Sequence, residues 1–372
     1  DWLCEIFSSG APWSLAKNDA EMEDFVMSTF FKTGLKISFF SLIIGAVLLG
    51  AGYATGGVQA IQEITAPSKQ TEAFTDISDI HLDTYRYVTV QAGNVDETVV
   101  TYSSGSKFIA DVRVTKEGNT LSIKGQQQES VVAGAIGLFG YLLNEAQRQN
   151  LYDEIVITVP KNQVLNSISG AGLSGLSLNK LTVKNLEYGS AVDIISSTIE
   201  AGKVTGYLSV YDSNLTNMTI DIYDSYSNVS DSQLEDLTIT DMGSGMSFTN
   251  SKLKNISYTS GQSLEDIEEE AQYLHSEDPN YSNGAYLFVS LDNVELLGDN
   301  TFMASILDID VNLAATSEAT TSIELESRTE SIELADSLKA LETTKVNGIV
   351  KLSHTAKDAK GKLIIKNNQG TI

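Results

Sequence analysis

Ser196-Ser197-Thr198-Ile199, Asp212-Ser213-Asn214-Leu215, Asp231-Ser232-Gln233-Leu234 and Asn250-Ser251-Lys252-Leu253 are four copies of one phrase: a small polar residue, a serine, a polar residue and an aliphatic anchor. The anchors are 16, 19 and 19 residues apart, and a weaker copy, Asn179-Lys180-Leu181, places its Leu 18 residues before the first. Five residues beyond each anchor stands another apolar side chain: Leu186, Val204, Ile220, Ile239 and Tyr258. A fixed internal period is the mark of a stacked architecture. Within each copy apolar and polar residues alternate, as in Leu237-Thr238-Ile239-Thr240, which is the two-residue period of a half-buried strand. Each copy therefore reads as one rung of a β-solenoid. A single rung cannot bury its own Leu and Ile, whereas rungs stacked at a strand spacing of roughly 4.8 Å line them into a continuous core. Ser, Asp and Asn supply the corner chemistry, because their short side chains bond nearby backbone and tolerate unusual dihedrals. The competing arrangement is a β-sandwich whose turns recur at similar intervals.

Outward from the rungs, residues 152–160 form a strand closed by Pro160, and residues 85–90, 98–102, 108–114 and 120–124 read as an antiparallel set of strands separated by Gly, Asn and Ser turns. An apolar, glycine-rich run at 131–143 interrupts them. It fits a helix lying on a membrane or partner, or a lid over the open end of the solenoid, where unpaired rung edges need cover. After the rungs, residues 261–284 break the period. Ser263 and Asp266 are placed as a capping box, Leu264, Ile267, Ala271 and Leu274 share one helical face, and the outer face is acidic, suiting a docking site or a solvated insertion. Strands resume from Tyr286, with turns at Asn347-Gly348 and at Asn368 and Gly370.

Toward the N-terminus no charged residue lies between Lys36 and Glu63, and Ile37 to Val58 is long enough to cross a hydrocarbon layer of roughly 30 Å as a helix. Lys32 and Lys36 precede it and the next positive charge is Lys69, which orients the N-terminus to the cytoplasm and the rungs outside. The alternative is a signal peptide cleaved near Ala60, after Val58-Gln59. Met27 resembles the start of such a segment, so residues 1–26 are expected to be upstream sequence or the end of a cytoplasmic piece. The chain thus divides into an N-terminal segment (1–35), a transmembrane helix (36–58), a stalk (59–76), a small leading β region (77–160) with an apolar helical insert (130–149), solenoid rungs (161–260), an acidic helical insertion (261–284) and C-terminal β rungs or cap (285–372).

Composition narrows function. The net charge of −25 and pI near 4.4 argue against nucleic acid, whose binding rests on Lys and Arg neutralising phosphates, and against electrostatic adhesion to anionic polymers without a bridging divalent cation. The lone Cys4 cannot close an intrachain disulfide. Between Val204 and Ser251 there is no Lys, Arg or His, which removes the cationic base of lyase chemistry from that stretch. Carboxylates are plentiful there (Asp212, Asp221, Asp224, Asp231, Glu235, Asp236, Asp241) and two could act as acid and base, Asp221 and Asp224 being the pair to test, although corner chemistry alone accounts for such abundance. His81, His275 and His354 are far apart without a companion motif, so no zinc site or triad follows. No cofactor is expected. Calcium is the ion that the Asp and Asn oxygens suit best, but neither the EF-hand loop nor the glycine-rich nonapeptide is present. Tyr207, Tyr211, Tyr223, Tyr226 and Tyr258 decorate the rungs, as a stripe for stacking against sugars or protein, or divided between core and surface.

The basic start, the apolar span ending in Gly56-Gly57, the strand Ile155-Val156-Ile157-Thr158-Val159-Pro160 and the Leu-anchored, Ser/Asp/Gly-rich rungs together resemble the adhesin-like β-solenoid family of bacterial cell-envelope proteins, over about residues 27–260. The resemblance implies a non-enzymatic, membrane-anchored extracytoplasmic binding or scaffold module, with an envelope protein or glycan as partner. It carries no catalytic motif, and some members are associated with envelope-stress operons. A regulatory partner of another membrane protein and, more remotely, a glycan-active enzyme using an Asp pair are the alternatives. If residues 131–143 form the lid, deleting them lowers the melting temperature of the chain, whereas a surface-bound helix leaves it unchanged.

Overall fold

The computed structural model describes Ser38 and residues 68–104, 111–125, 154–172, 174–223, 226–242, 245–260, 288–304, 308–327, 332, 343–346, 349–367 and 372. The chain divides into two units, Asp1–Ile64 and Thr65–Ile372. In the first, only Ser38 is described, so the segment read as a transmembrane helix lies outside the described residues, as do the insert at 130–149 and the insertion at 261–284. Among the described residues no helix is long and apolar enough to cross a membrane.

The second unit is a parallel β-solenoid with three straight faces per rung. The first face stacks Leu176–Asn179, Val192–Ile195, Leu208–Tyr211, Ser227–Ser230 and Gly245–Thr249. The second stacks Thr198–Ile199, Asn214–Thr216, Gln233–Glu235 and Lys252–Lys254. The third stacks Gly202–Thr205, Met218–Ile222, Thr238–Asp241 and Ser257–Ser260. The next strand, Phe288–Ala304, runs a whole turn and pairs in sequence with the last strand of each face.

The anchors superpose as their spacing predicts. Ile199, Leu215, Leu234 and Leu253 are register partners in one buried column, which Leu296 extends. A second column runs Val204, Ile220, Ile239, Tyr258 and Phe302, and a third, on the first face, runs Leu178, Ile194, Val210, Val229, Phe248 and Leu291. Each such side chain contributes about 1.5–3 kcal/mol by leaving water. Where the columns widen, rings fill them: Phe302 stacks on Tyr258 at 5.7 Å and meets Phe248 edge-on at 6.2 Å.

The weaker copy does not join these columns where its spacing suggests. Val183, not Leu181, is the partner of Ile199, and Tyr188, not Leu186, that of Val204. Leu186 lies opposite Gly202, whose φ of +146° and approach to the Leu186 carbonyl leave no room for a Cβ.

At the corner between the first and second faces the two leading residues of each phrase divide the work. Ser196, Asp212, Asp231 and Asn250 take left-handed φ values of 48° to 50°. The serines that follow are buried and form a ladder. Leu181 N–H donates to Ser197 Oγ (3.0 Å), Ser197 N–H to Ser213 Oγ (3.0 Å), Ser213 N–H to Ser232 Oγ (3.0 Å) and Ser232 N–H to Ser251 Oγ (3.2 Å). Each of these hydroxyls donates in turn to the carbonyl two residues back, at 2.6–2.8 Å. Leu181 thus occupies the serine position of its own rung.

The ends depart from sequential winding. Asp79–Asp83 lies in parallel between Thr120–Gly125 and Val164–Ala171, and Val88–Gly93 in parallel between Ile155–Pro160 and Leu176–Asn179. An early segment is therefore inserted between two later rungs, and the leading region is not the antiparallel set its turns suggest. Only its outermost strands reverse: Ser68–Phe74 on Thr98–Ser104, that strand on Ile155–Pro160, and Val112–Glu117 on Thr120–Gly125. Residues 68–74, within the expected stalk, are thus a polar edge strand, tied by Tyr102 Oη donating to Glu72 at 2.6 Å. At the other end Gly361–Asn367 is inserted between Phe288–Ala304 and Thr321–Ser327, and the antiparallel strands Ile349–His354 and Thr343–Val346 continue the sheet outward. These reversals end the rung edges that would otherwise template another chain.

Ser213→Ala leaves the buried Ser197 N–H without its acceptor and costs about 1–3 kcal/mol, read as a fall of several degrees in Tm; Ser209→Ala, on the outer surface, stays within about 0.5 kcal/mol. Burial pushes Tyr188 up to about 12, and burial together with Asp193 and Glu72 does the same to Tyr87 and Tyr102; burial and the Asp241 carboxylate also raise Tyr258. The folded chain keeps these protons above pH about 10, where unfolded tyrosines lose them, so their contribution is complete below about 10 and is lost as pH climbs toward about 12. Thermal melts should be flat between about pH 7 and pH 9.5 and fall above about pH 10. Tyr188→Phe, which deletes a buried hydroxyl lacking a partner among the described residues, should leave Tm at neutral pH unchanged or higher and make the alkaline fall shallower.

Candidate functional site

With the apolar columns fixed inside, alternate residues of every strand face outward in register. On the first face the outward row runs Thr89, Ser177, Asp193, Ser209, Asn228, Ser247 and Ser290, a strip of short polar groups. Within it Ser209 Oγ donates to Asn228 at 3.4 Å, and Tyr87 Oη, from the edge of the face, donates to Asp193 at 2.9 Å.

The carboxylates singled out from sequence are dispersed into structural roles. Asp212 accepts from Ser196 Oγ (3.0 Å) and Asp231 from Asn250 Nδ2 (3.4 Å) at the first corner, while Asp236 accepts from Asn255 Nδ2 (2.8 Å) at the second. Asp241 is buried and accepts from Tyr258 Oη at 2.6 Å. Asp224 and His275 lie outside the described residues. The stretch without Lys, Arg or His does not stay free of cations in three dimensions. Lys203 reaches across one rung to Asp221 (2.7 Å), and Lys254 pairs with Glu235 and Lys252 with Glu295 (3.0 Å). The hydrogen bond from Lys203 to Asp221, then the charge of that carboxylate, raises the lysine above its ordinary range, so it is held protonated and is no free base. His81 Nδ1 lies 3.1 Å from Ser169 Oγ, and His354 sits on a different strand at the far end. Among the described residues no three His, Cys, Asp or Glu side chains are grouped to hold a metal ion.

The tyrosines divide in a way the sequence left open. Tyr258 is core, whereas Tyr211, Tyr223 and Tyr226 are 52%, 45% and 40% exposed. Tyr223 and Tyr226 flank the corner between the third and first faces. Tyr207 stands at the same corner one rung earlier, its hydroxyl accepting from Asn228 Nδ2 at 3.1 Å. Met242, 38% exposed, stands there one rung later, its N–H bonded to the Ile222 carbonyl. Residues spaced along the chain by the rung period are thus stacked into one aromatic and thioether ridge. Such a ridge offers flat, polarisable surface with hydroxyl tips, chemistry suited to sugar rings and protein side chains alike. Met242 was not legible as part of it, because its neighbours in space are about a rung away in sequence.

A family model described as Toastrack DUF4097 matches residues 77–278, just over half of the chain. No curated protein matches. Among solved structures, the chain is similar to a candidate cell-adhesion protein from Clostridium sporogenes ATCC 15579, at 9% identity over 82% of this chain and 96% of that one with a TM-score of 0.23. It is also similar to a candidate adhesin from Bacteroides fragilis NCTC 9343, at 10% identity over 82% and 97% with a TM-score of 0.26. The matched span takes in the inserted early segment, the serine ladder and the aromatic corner, and the chain belongs to the Toastrack DUF4097 family.

Proposed function

We propose that the chain is a non-enzymatic, adhesin-like binding module, held at the bacterial envelope by the apolar segment at 36–58 with its solenoid outside the cytoplasm. The observation that carries the binding reading is the ridge at the third corner, where Tyr223, Tyr226 and Met242 expose ring and thioether surface next to the half-buried Tyr207. A rigid scaffold matters here because side chains already held in place lose little freedom on binding. The non-enzymatic reading is supported by the fate of the carboxylates, each of those described being engaged by a hydroxyl, amide or ammonium. The partner is an envelope glycan or an envelope protein.

The test is capture of envelope components by the full chain against a Tyr223→Ala/Tyr226→Ala variant. Captured material should fall at least tenfold with the melting temperature unchanged, since neither ring is part of the core. Equal capture by both proteins overturns the corner as the contact surface. Release of reducing ends from wall polysaccharide by the purified chain, abolished in Asp221→Asn, overturns the non-enzymatic reading.

A further inference from the structure

A second feature lies at the first corner, at the N-terminal end of the stack and apart from the aromatic ridge. The insertion of Val88–Gly93 between Ile155–Pro160 and Leu176–Asn179 brings the turn after Gly93 between two turns that follow each other by one rung in the chain. Between them is a cleft of about 410 Å³, lined by Gly93, Asn94, Lys161, Asn162, Lys180 and Thr182, among others. No carboxylate is among the described residues that line it. That is unusual for a chain with 49 acidic and 24 basic residues. Elsewhere on the rungs Lys203, Lys252 and Lys254 are all matched to carboxylates.

Lys180 is also out of place by conformation. Its φ is +58°, at the corner where later rungs put Ser196, Asp212, Asp231, Asn250 and Asn293 at +48° to +54°. Asp and Asn tolerate that region best, whereas the left-handed helical conformation costs an ordinary residue roughly 1–2 kcal/mol. Ser196, Asp212, Asp231, Asn250 and Asn293 also bond one another's side chains between rungs. Among the described residues Lys180 joins no such contact and lines the cleft instead, as does Lys161, with the inserted strand Val88–Gly93 between their two rungs. Strain kept at a cleft is a pointer to use.

We propose that this cleft binds the phosphate group of a small sugar phosphate. Two ammonium groups match one dianionic phosphate. The volume falls in the range of small-molecule sites, and Asn94, Asn162 and Thr182 offer amides and a hydroxyl for ring hydroxyls. The net charge of −25 selects against a polyanion, which the rest of the surface repels, and leaves a compact ligand whose charge sits within reach of the lysines.

The experiment is calorimetric titration of the full chain with glucose 6-phosphate, with glucose, inorganic phosphate and glucuronate as companion probes. Glucose 6-phosphate should bind at least tenfold more tightly than glucose or glucuronate and more tightly than inorganic phosphate. Lys161→Gln and Lys180→Asn should each weaken it at least fivefold. Lys180→Asn should at the same time keep or raise Tm, because Asn suits the left-handed corner, which separates lost binding from lost folding. No saturable binding of glucose 6-phosphate, equal binding of glucuronate, or affinity untouched by both substitutions overturns the proposal. The Tyr223→Ala/Tyr226→Ala variant should bind glucose 6-phosphate as the parent does, so failure at one site is distinguishable from failure at the other.

Discussion

The structure depends on what happens to the backbone N–H at the first corner, where the chain turns inward and water cannot follow. A buried, unpaired N–H costs about as much as the loss of several good packing contacts. Here the next rung supplies the missing acceptor, a serine hydroxyl that itself donates a hydrogen bond to the carbonyl two residues back. The device works only if neighbouring rungs are in register, so it links corner chemistry to rung stacking. Elsewhere other side chains play the same part: Asn300 Oδ1 accepts from Ile256 N–H at 3.1 Å, and Ser317 Oγ from Leu296 N–H at 3.0 Å. Polar satisfaction and aliphatic packing thus select one register, and a slip of one residue would break both.

Once the register is fixed, the surface follows. Each outward position becomes a row running along the stack, and residues separated by a rung become neighbours. Ion pairs such as Lys254 with Glu235 lie directly across rungs, and their exposure makes them modest contributors to stability. The same geometry assembles the aromatic ridge from Tyr207, Tyr223, Tyr226 and Met242, and the basic cleft from two successive rung turns with a third, from much earlier in the chain, between them. Both gather at corners, where side chains of successive rungs stand one above the next.

Some of this was legible in the sequence and some was not. Ile199, Leu215, Leu234 and Leu253 could be placed in one column because each anchor sits at the same distance behind its corner serine. Leu181 and Leu186 could not, because that rung has Leu181 where the others have the serine, which shifts its inward residues by two and brings Val183 and Tyr188 into the columns. The strand at 68–74 escaped notice because an edge strand with one wet face carries no apolar run to mark it. The carboxylates were visible as a group, yet only the fold separates corner caps such as Asp212 from the buried Asp241.

The rung, its corners and the side chains that face inward can be read from the residues alone, because alternation and spacing are local properties that each strand carries with it. Tertiary structure decided the neighbours. Alternation tells a strand which face to bury but not which strand lies beside it, so the insertion of residues 79–93 between two later rungs, and with it the lysine cleft, came only from the sheet's demand that every inner backbone group find a partner.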